Sequence, residues 1–147
     1  MATTRRATAT WSGDLPTGHG TVTAATTGIF RDQPTTWASR TEEPAGVTSP
    51  EELLAAAHAS CFSMACSNIL AKAGTPVDRL EVEVNVTADK REAGWTVLSA
   101  AIVVRGVVPG ATQESFADAA DQAKGGCPIS RALSGNVDIT VEATLAS

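Results

Sequence analysis

Leu80, Val82, Val84 and Val86 are separated by Glu81, Glu83, Asn85 and Thr87, the alternation of a strand that buries one face. Residues 95–104 repeat the pattern, with Leu98, Ala100, Ile102 and Val104 on one side, and the turn over 90–94 between the two runs predicts an antiparallel pair. A last run sets Val137, Ile139, Val141, Ala143 and Leu145 against Asp138, Thr140, Glu142 and Thr144, predicting another strand packed on one face. Weaker alternation near the start, Ala7, Ala9 and Trp11 with Thr8 and Thr10, then 21–24 after the turn Gly18-His19-Gly20, predicts two hairpin strands. Residues 28–47, with Pro34, Trp37, Pro44 and Gly46, read as one short strand and then a polar loop.

Between these strand regions lies a strong helix signal. Ser49 is a good N-cap, Pro50 fits the first helical position, and Glu52 completes a capping box three residues after the cap. Gly74 and Pro76 mark the stop, so residues 50–73 are predicted as a rod of roughly 36 Å. Ala, Ser and Leu crowd every side of it, and a helix that is small or apolar all round must be covered all round, by its own domain or by a second subunit. Phe116, Ala119, Ala120 and Ala123 sit at helical spacing and predict a second, amphipathic helix ending at Gly125-Gly126; a short third can start at Pro128. Strands segregated around helices make the expected fold α+β, with residues 1–147 as a single domain.

Composition narrows the function classes. Hydrophobic residues are 43% and charged ones 18%, which argues against disorder and against a solvated coiled coil. Eleven Lys+Arg against 16 Asp+Glu give a net charge of −5, with adjacent basic residues only at Arg5-Arg6 and Lys90-Arg91, so the basic footprint of a nucleic-acid binder is missing. Residues 53–70 are the most apolar stretch, but His58, Ser60, Ser63, Ser67 and Asn68 interrupt it before the ~18–20 residues that span a bilayer. No membrane partner is expected. Residues 1–6 lead into Thr and Ala without an apolar signal core, which makes the cytoplasm the expected address, where structural disulfides are rare.

Three cysteines are therefore a chemical question. Cys127 follows two glycines at the mouth of a helix, where unpaired amides lower a thiol pKa, so it suits a mobile resolving role. Cys61 sits mid-helix, beyond the reach of a helix end, and a cation must be supplied to hold it anionic. Either cysteine alone would read as a small buried hydrophobe. Cys66 is five residues past Cys61, rotated by roughly 140° and displaced ~7.5 Å, and reads as core packing. His58 lies one turn before Cys61; it is either the base of a Cys-His nucleophile pair or, the better reading, a hydrogen-bonded interface histidine, because no orienting group or oxyanion hole can be placed beside it. His19 reads as an exposed loop residue, and no C-x₂-C metal pattern occurs.

The segment Ser49-Pro50-Glu51-Glu52-Leu53-Leu54-Ala55-Ala56-Ala57-His58-Ala59-Ser60-Cys61-Phe62-Ser63-Met64 resembles the helix of the OsmC/Ohr family of thiol peroxidases. Gly126-Cys127-Pro128-Ile129-Ser130 resembles its second-cysteine motif, and the likeness runs essentially end to end, Trp11-Ser12-Gly13 included. His58 in Ala-Ala-His-Ala-Ser-Cys-Phe is similar to the osmotically inducible OsmC branch, where the Ohr branch typically carries an aromatic.

The resemblance implies antiparallel sheets wrapped around two central helices in an intertwined homodimer, and peroxide reduction without a bound cofactor or metal. It implies Cys61 as peroxidatic thiolate, Cys127 as resolving thiol, Arg40 as activating cation and Glu51 as its carboxylate partner, chosen over Glu52 because it directly follows Pro50. The residue types suit the chemistry: a thiolate becomes a sulfenic acid, a second thiol condenses with it, and an arginine stays charged while offering several donors. Organic hydroperoxides are the expected substrates, hydrogen peroxide a less efficient one, and a dithiol, in the family often a dihydrolipoyl group, the reductant. A role in oxidative and osmotic stress defence follows.

Helix geometry adds one constraint. Glu51 and Cys61 on one straight helix lie ~15 Å apart along the axis and about 80° apart in azimuth. Either Arg40 bridges most of that gap, or two helices cross in a symmetric dimer so that Arg40 and Glu51 of one chain meet Cys61 of the other. Two rival functions stay open: a cysteine hydrolase using Cys61 and His58, and a non-catalytic ligand-binding dimer on the same fold.

Overall fold

The computed structural model describes residues 1–146, which form two compact units, Met1–Leu53 and the chain from Leu54 onward.

The first unit is a three-stranded antiparallel sheet of β1 (Thr8–Ser12), β2 (His19–Thr23) and β3 (Gln33–Thr35), followed by the short helix α1 (Trp37–Thr41). The β1–β2 register pairs Thr8 with Thr23 and Ser12 with His19. The connecting turn is held by Asp14, whose Oδ1 accepts from the Thr17 backbone N–H at 2.9 Å. The loop expected after the short strand contains α1 instead. A reciprocal cap starts it: Thr36 Oγ1 accepts from Ser39 N at 3.0 Å and Ser39 Oγ accepts from Thr36 N at 3.3 Å.

Helix α2 (Pro50–Lys72) begins as the capping signal predicts, with Ser49 Oγ accepting from Glu52 N at 3.2 Å. The second half of that box is replaced: the Glu52 carboxylate accepts from the Thr48 hydroxyl. Gly74, at φ +85°, takes the left-handed position that ends the helix. By length and composition α2 could cross a membrane, but its stripe His58, Phe62, Cys66 and Leu70, at i, i+4 spacing, is buried in the core.

In the second unit β4 (Arg79–Arg91) and β5 (Gly94–Val107) form the expected antiparallel pair, with a bulge at Thr87/Ala88. Helices α3 (Gln113–Gly126) and α4 (Pro128–Leu133) then carry the chain across to β6 (Asp138–Leu145). The expectation of purely antiparallel sheets is corrected here, because β6 runs parallel to β5, from Ser99↔Asp138 to Gly106↔Leu145. A helical crossover is the connection that a parallel neighbour requires, and α3–α4 supplies it. Phe62, Leu70, Ile102, Val104, Phe116 and Ala120 lie at the centre of the core. Gly106 makes room for α3, since a Cβ there would stand 2.6 Å from the Phe116 ring.

Candidate active site

The second unit brings Cys61 and Cys127 together, and both are free thiols. Cys61 is half-buried on α2. Cys127 is fully buried and is at once the C-cap of α3 and the N-cap of α4, with Pro128 at the first helical position. Its own backbone is tied on both sides: Cys127 N donates to Ala123 O at 2.8 Å, and Arg131 N donates to Cys127 O at 3.0 Å.

The two sulfurs sit in unequal surroundings. Burial pushes the Cys61 thiol up, against a backbone hydrogen bond from Ile129, and the neighbouring Cys127 sulfur pushes it further. Burial acts on Cys127 in the same direction, but there it is outweighed by hydrogen bonds from the Ser130 backbone, Cys61, the Ser130 hydroxyl and the Ile129 backbone, so this thiol is lowered. The two sulfurs titrate as one coupled pair in which the surroundings favour the thiolate at Cys127 and disfavour it at Cys61. Around them Met64, Ala65, Ile69, Gly126 and Pro128 form an open cavity of about 420 Å³, onto which Cys61 faces.

Cys66 is buried among apolar side chains, its thiol pushed up by burial to about 11. His58 is also fully buried, and burial lowers its pKa. Its Nε2 lies 2.7 Å from Ser130 Oγ, and its Nδ1 has no hydrogen-bond partner among the described residues, so neither ring nitrogen engages Cys61. The Cys-His nucleophile pair thus lacks its defining contact. Ser130 is the residue that sequence reasoning passed over. Its position three after the N-cap Cys127 was the available signal, because side chains in a helix's first turn lie beside the cap.

The first unit brings Arg40 and Glu51 together. Arg40 sits in α1, and its Nε donates to Glu51 Oε1 at 2.8 Å. Glu52 is occupied with Thr48. The pair is 30% and 12% exposed, and the guanidinium stacks 5.7 Å from the Trp37 ring centroid. Arg40 borders an apolar cavity of about 360 Å³ lined by Trp11, Leu15, Val22, Trp37 and Leu53.

Comparison with known proteins adds context to these two clusters. The family described as OsmC-like protein matches residues 43–142. Peroxiredoxin OsmC of Escherichia coli (strain K12) is 37% identical over 147 residues, covering 100% of both chains. The organic hydroperoxide resistance protein OhrA of Bacillus subtilis (strain 168) is 34% identical over 101 residues, 65% of this chain and 66% of that protein. Among solved structures, the organic hydroperoxide resistance protein OhrB of Bacillus subtilis superposes with a TM-score of 0.71 at 27% identity, over 95% of this chain and 98% of that one.

Proposed function

The chain belongs to the OsmC family, and from that premise we propose that it is a peroxiredoxin-like hydroperoxide reductase, a cytoplasmic homodimer that reduces organic hydroperoxides and, less efficiently, hydrogen peroxide. The observation that carries this reading is the reduced, hydrogen-bonded pair Cys61–Cys127. One thiol is accessible from a cavity, and a second, sequestered thiol is in contact with it.

In the first step Cys61 passes its proton along the S–H···S bond to Cys127, and the Cys61 thiolate attacks the terminal peroxide oxygen. The O–O bond breaks, Cys61 becomes a sulfenic acid, and the alkoxide takes the proton held by Cys127 and leaves as the alcohol, which returns Cys127 to the thiolate. Cys127 then attacks the sulfenic sulfur, a disulfide forms, and the departing hydroxide is protonated by a buffer acid to water. A dithiol reductant, a dihydrolipoyl protein being the type expected, restores the pair by exchange.

Holding Cys61 anionic against burial needs a cation, and Arg40, oriented by Glu51, is assigned that role. The apolar side chains beside Arg40 suit the alkyl part of an organic hydroperoxide. Arg40 and Glu51 serve Cys61 of the opposite chain in this reading.

One equivalent of cumene hydroperoxide should remove two free thiols from the wild type and leave a lasting sulfenic acid in Cys127→Ser; unchanged thiol counts would overturn the assignment. Mixing Cys61→Ser with Arg40→Ala subunits should restore activity above either parent. No recovery in a verified heterodimer would place Arg40 in the same chain as the thiol it activates.

A further inference from the structure

His58 is a buried polar side chain that the proposed reaction does not use, and the group it touches is Ser130, which sits in the first turn of α4, three residues past its N-cap Cys127, and whose hydroxyl lowers the Cys127 thiol. Ser130 is itself only 2% exposed. A charged imidazolium in this setting would bury a charge and leave an N–H donor at Nδ1 without a partner, so the ring is neutral. Of the two neutral tautomers, the one protonated at Nε2 leaves only a lone pair unmatched at Nδ1, whereas the other strands a buried N–H. The hydrogen-bond directions then follow along the chain. His58 Nε2–H donates to Ser130 Oγ at 2.7 Å, and the hydroxyl proton is left to donate to Cys127 Sγ.

We propose that His58 and Ser130 are positioning residues whose donor chain, ending on Cys127 Sγ, divides the work of the dithiol between the attacking and the closing sulfur. The inference rests on the peroxidase reading above. A hydroxyl oriented at Cys127 favours its thiolate. That thiolate is the nucleophile in disulfide closure: its sulfur forms the S–S bond, the S–O bond of the Cys61 sulfenic acid breaks, and the hydroxide released is protonated by a buffer acid and leaves as water. The same hydroxyl makes Cys127 the better leaving sulfur when an external thiol attacks the bridge at Cys61, the sulfur that faces the open cavity. It also has a cost at the first step, because negative charge held on Cys127 opposes ionisation of Cys61.

These opposed effects separate a positioning role from a merely structural one. In Ser130→Ala, thiolate absorbance should titrate at higher pH, and closure, followed by dimedone trapping of the sulfenic acid after a peroxide pulse, should slow about tenfold. Oxidation of Cys61 should be as fast as in wild type or faster. His58→Gln, which can still donate to Ser130, should track wild type, and His58→Leu should follow Ser130→Ala. Ser130→Thr, which keeps the hydroxyl, should restore both readouts. An unchanged titration with unchanged closure in Ser130→Ala overturns the proposal, and so does an equal slowing of oxidation and closure. The titration needs no peroxide, so a wild type that never forms sulfenic acid would sink the peroxidase reading while the titration still decides on the donor chain.

Discussion

Residues 1–53 and the chain from Leu54 onward stabilise themselves by different means. All thirteen buried apolar side chains among the described residues, from Phe62 to Cys127, belong to the second unit. In the first unit β1 is exposed at every position, and Trp11 and Leu15 are 44% and 52% exposed. Order there comes from polar devices: the Thr36–Ser39 cap, the Asp14–Thr17 turn, the Thr10–Thr21 hydroxyl pair at 3.0 Å and the Arg40–Glu51 ion pair. Such bonds contribute about 1 kcal/mol each, where burial of one large apolar side chain contributes about 1.5–3 kcal/mol. The difference teaches that the Arg40–Glu51 pair is presented by a part of the chain that burial hardly holds in place, while Cys127 and Cys66 are sealed in the core and Cys61 is packed at its edge. A second copy covering Trp11 and Leu15 would supply the missing burial, which supports the homodimer proposed above.

The largest expected effect lies in the core. Phe62→Ala should lower unfolding free energy by about 3–5 kcal/mol in chemical denaturation. Trp11→Ala should cost under ~1 kcal/mol at high dilution, and more as protein concentration rises and association covers the site. A Trp11→Ala loss that is large and independent of concentration would mean that the first unit has a core of its own.

Arg40→Ala should rank next, at about 1–2 kcal/mol, since it removes a charged hydrogen bond that is only partly shielded from water. Arg40→Lys keeps the charge but loses the planar group held by Glu51 and stacked on Trp37, so it should recover only part of the stability and of the activity. Full recovery of both by lysine would show that charge alone matters there.

A smaller, graded effect is expected from His58. Burial lowers its folded pKa below the ordinary 6.5, so the unfolded chain binds the extra proton. Its contribution is complete above pH 6.5 and is lost as pH falls through the folded value, with a slope of at most about 1.4 kcal/mol per pH unit. Stability of wild type and His58→Gln, measured from neutral pH downward, should diverge in that window. Parallel curves would show that His58 is protonated without penalty and therefore not sealed in the core.

Much of this contrast was legible in the residues. The Ser49–Pro50 start and Gly74 stop delimit α2, and the alternation from Leu80 onward places β4 and β5, because caps and periodicity are local signals. The direction of β6 was not legible: alternation tells which face is buried but says nothing of the neighbour's sense. Helix α1 was missed because five residues are too few to show a helical period, and only its Thr36–Ser39 cap betrays it. The pairs Cys61–Cys127 and Arg40–Glu51 came from a family resemblance. What no linear pattern could carry is the unequal acidity of the two thiols, which depends on amides and a hydroxyl of α4 meeting Cys127 in space.

The smallest expected effect is the most direct probe of the closed core. Cys66 is fully buried and its thiol is raised to about 11, so at neutral pH roughly one molecule in ten thousand carries its thiolate even before access is considered. Iodoacetamide should therefore modify Cys61 first and leave Cys66 unlabelled until the protein is denatured. Cys66→Ala should leave peroxide-driven thiol loss unchanged, because the sulfur removed is not one of the pair. Rapid labelling of Cys66 in the folded protein would mean that α2 parts from the sheet under native conditions. The distinction between a closed thiol core and a loosely held arginine unit would then fail on the side where it is strongest.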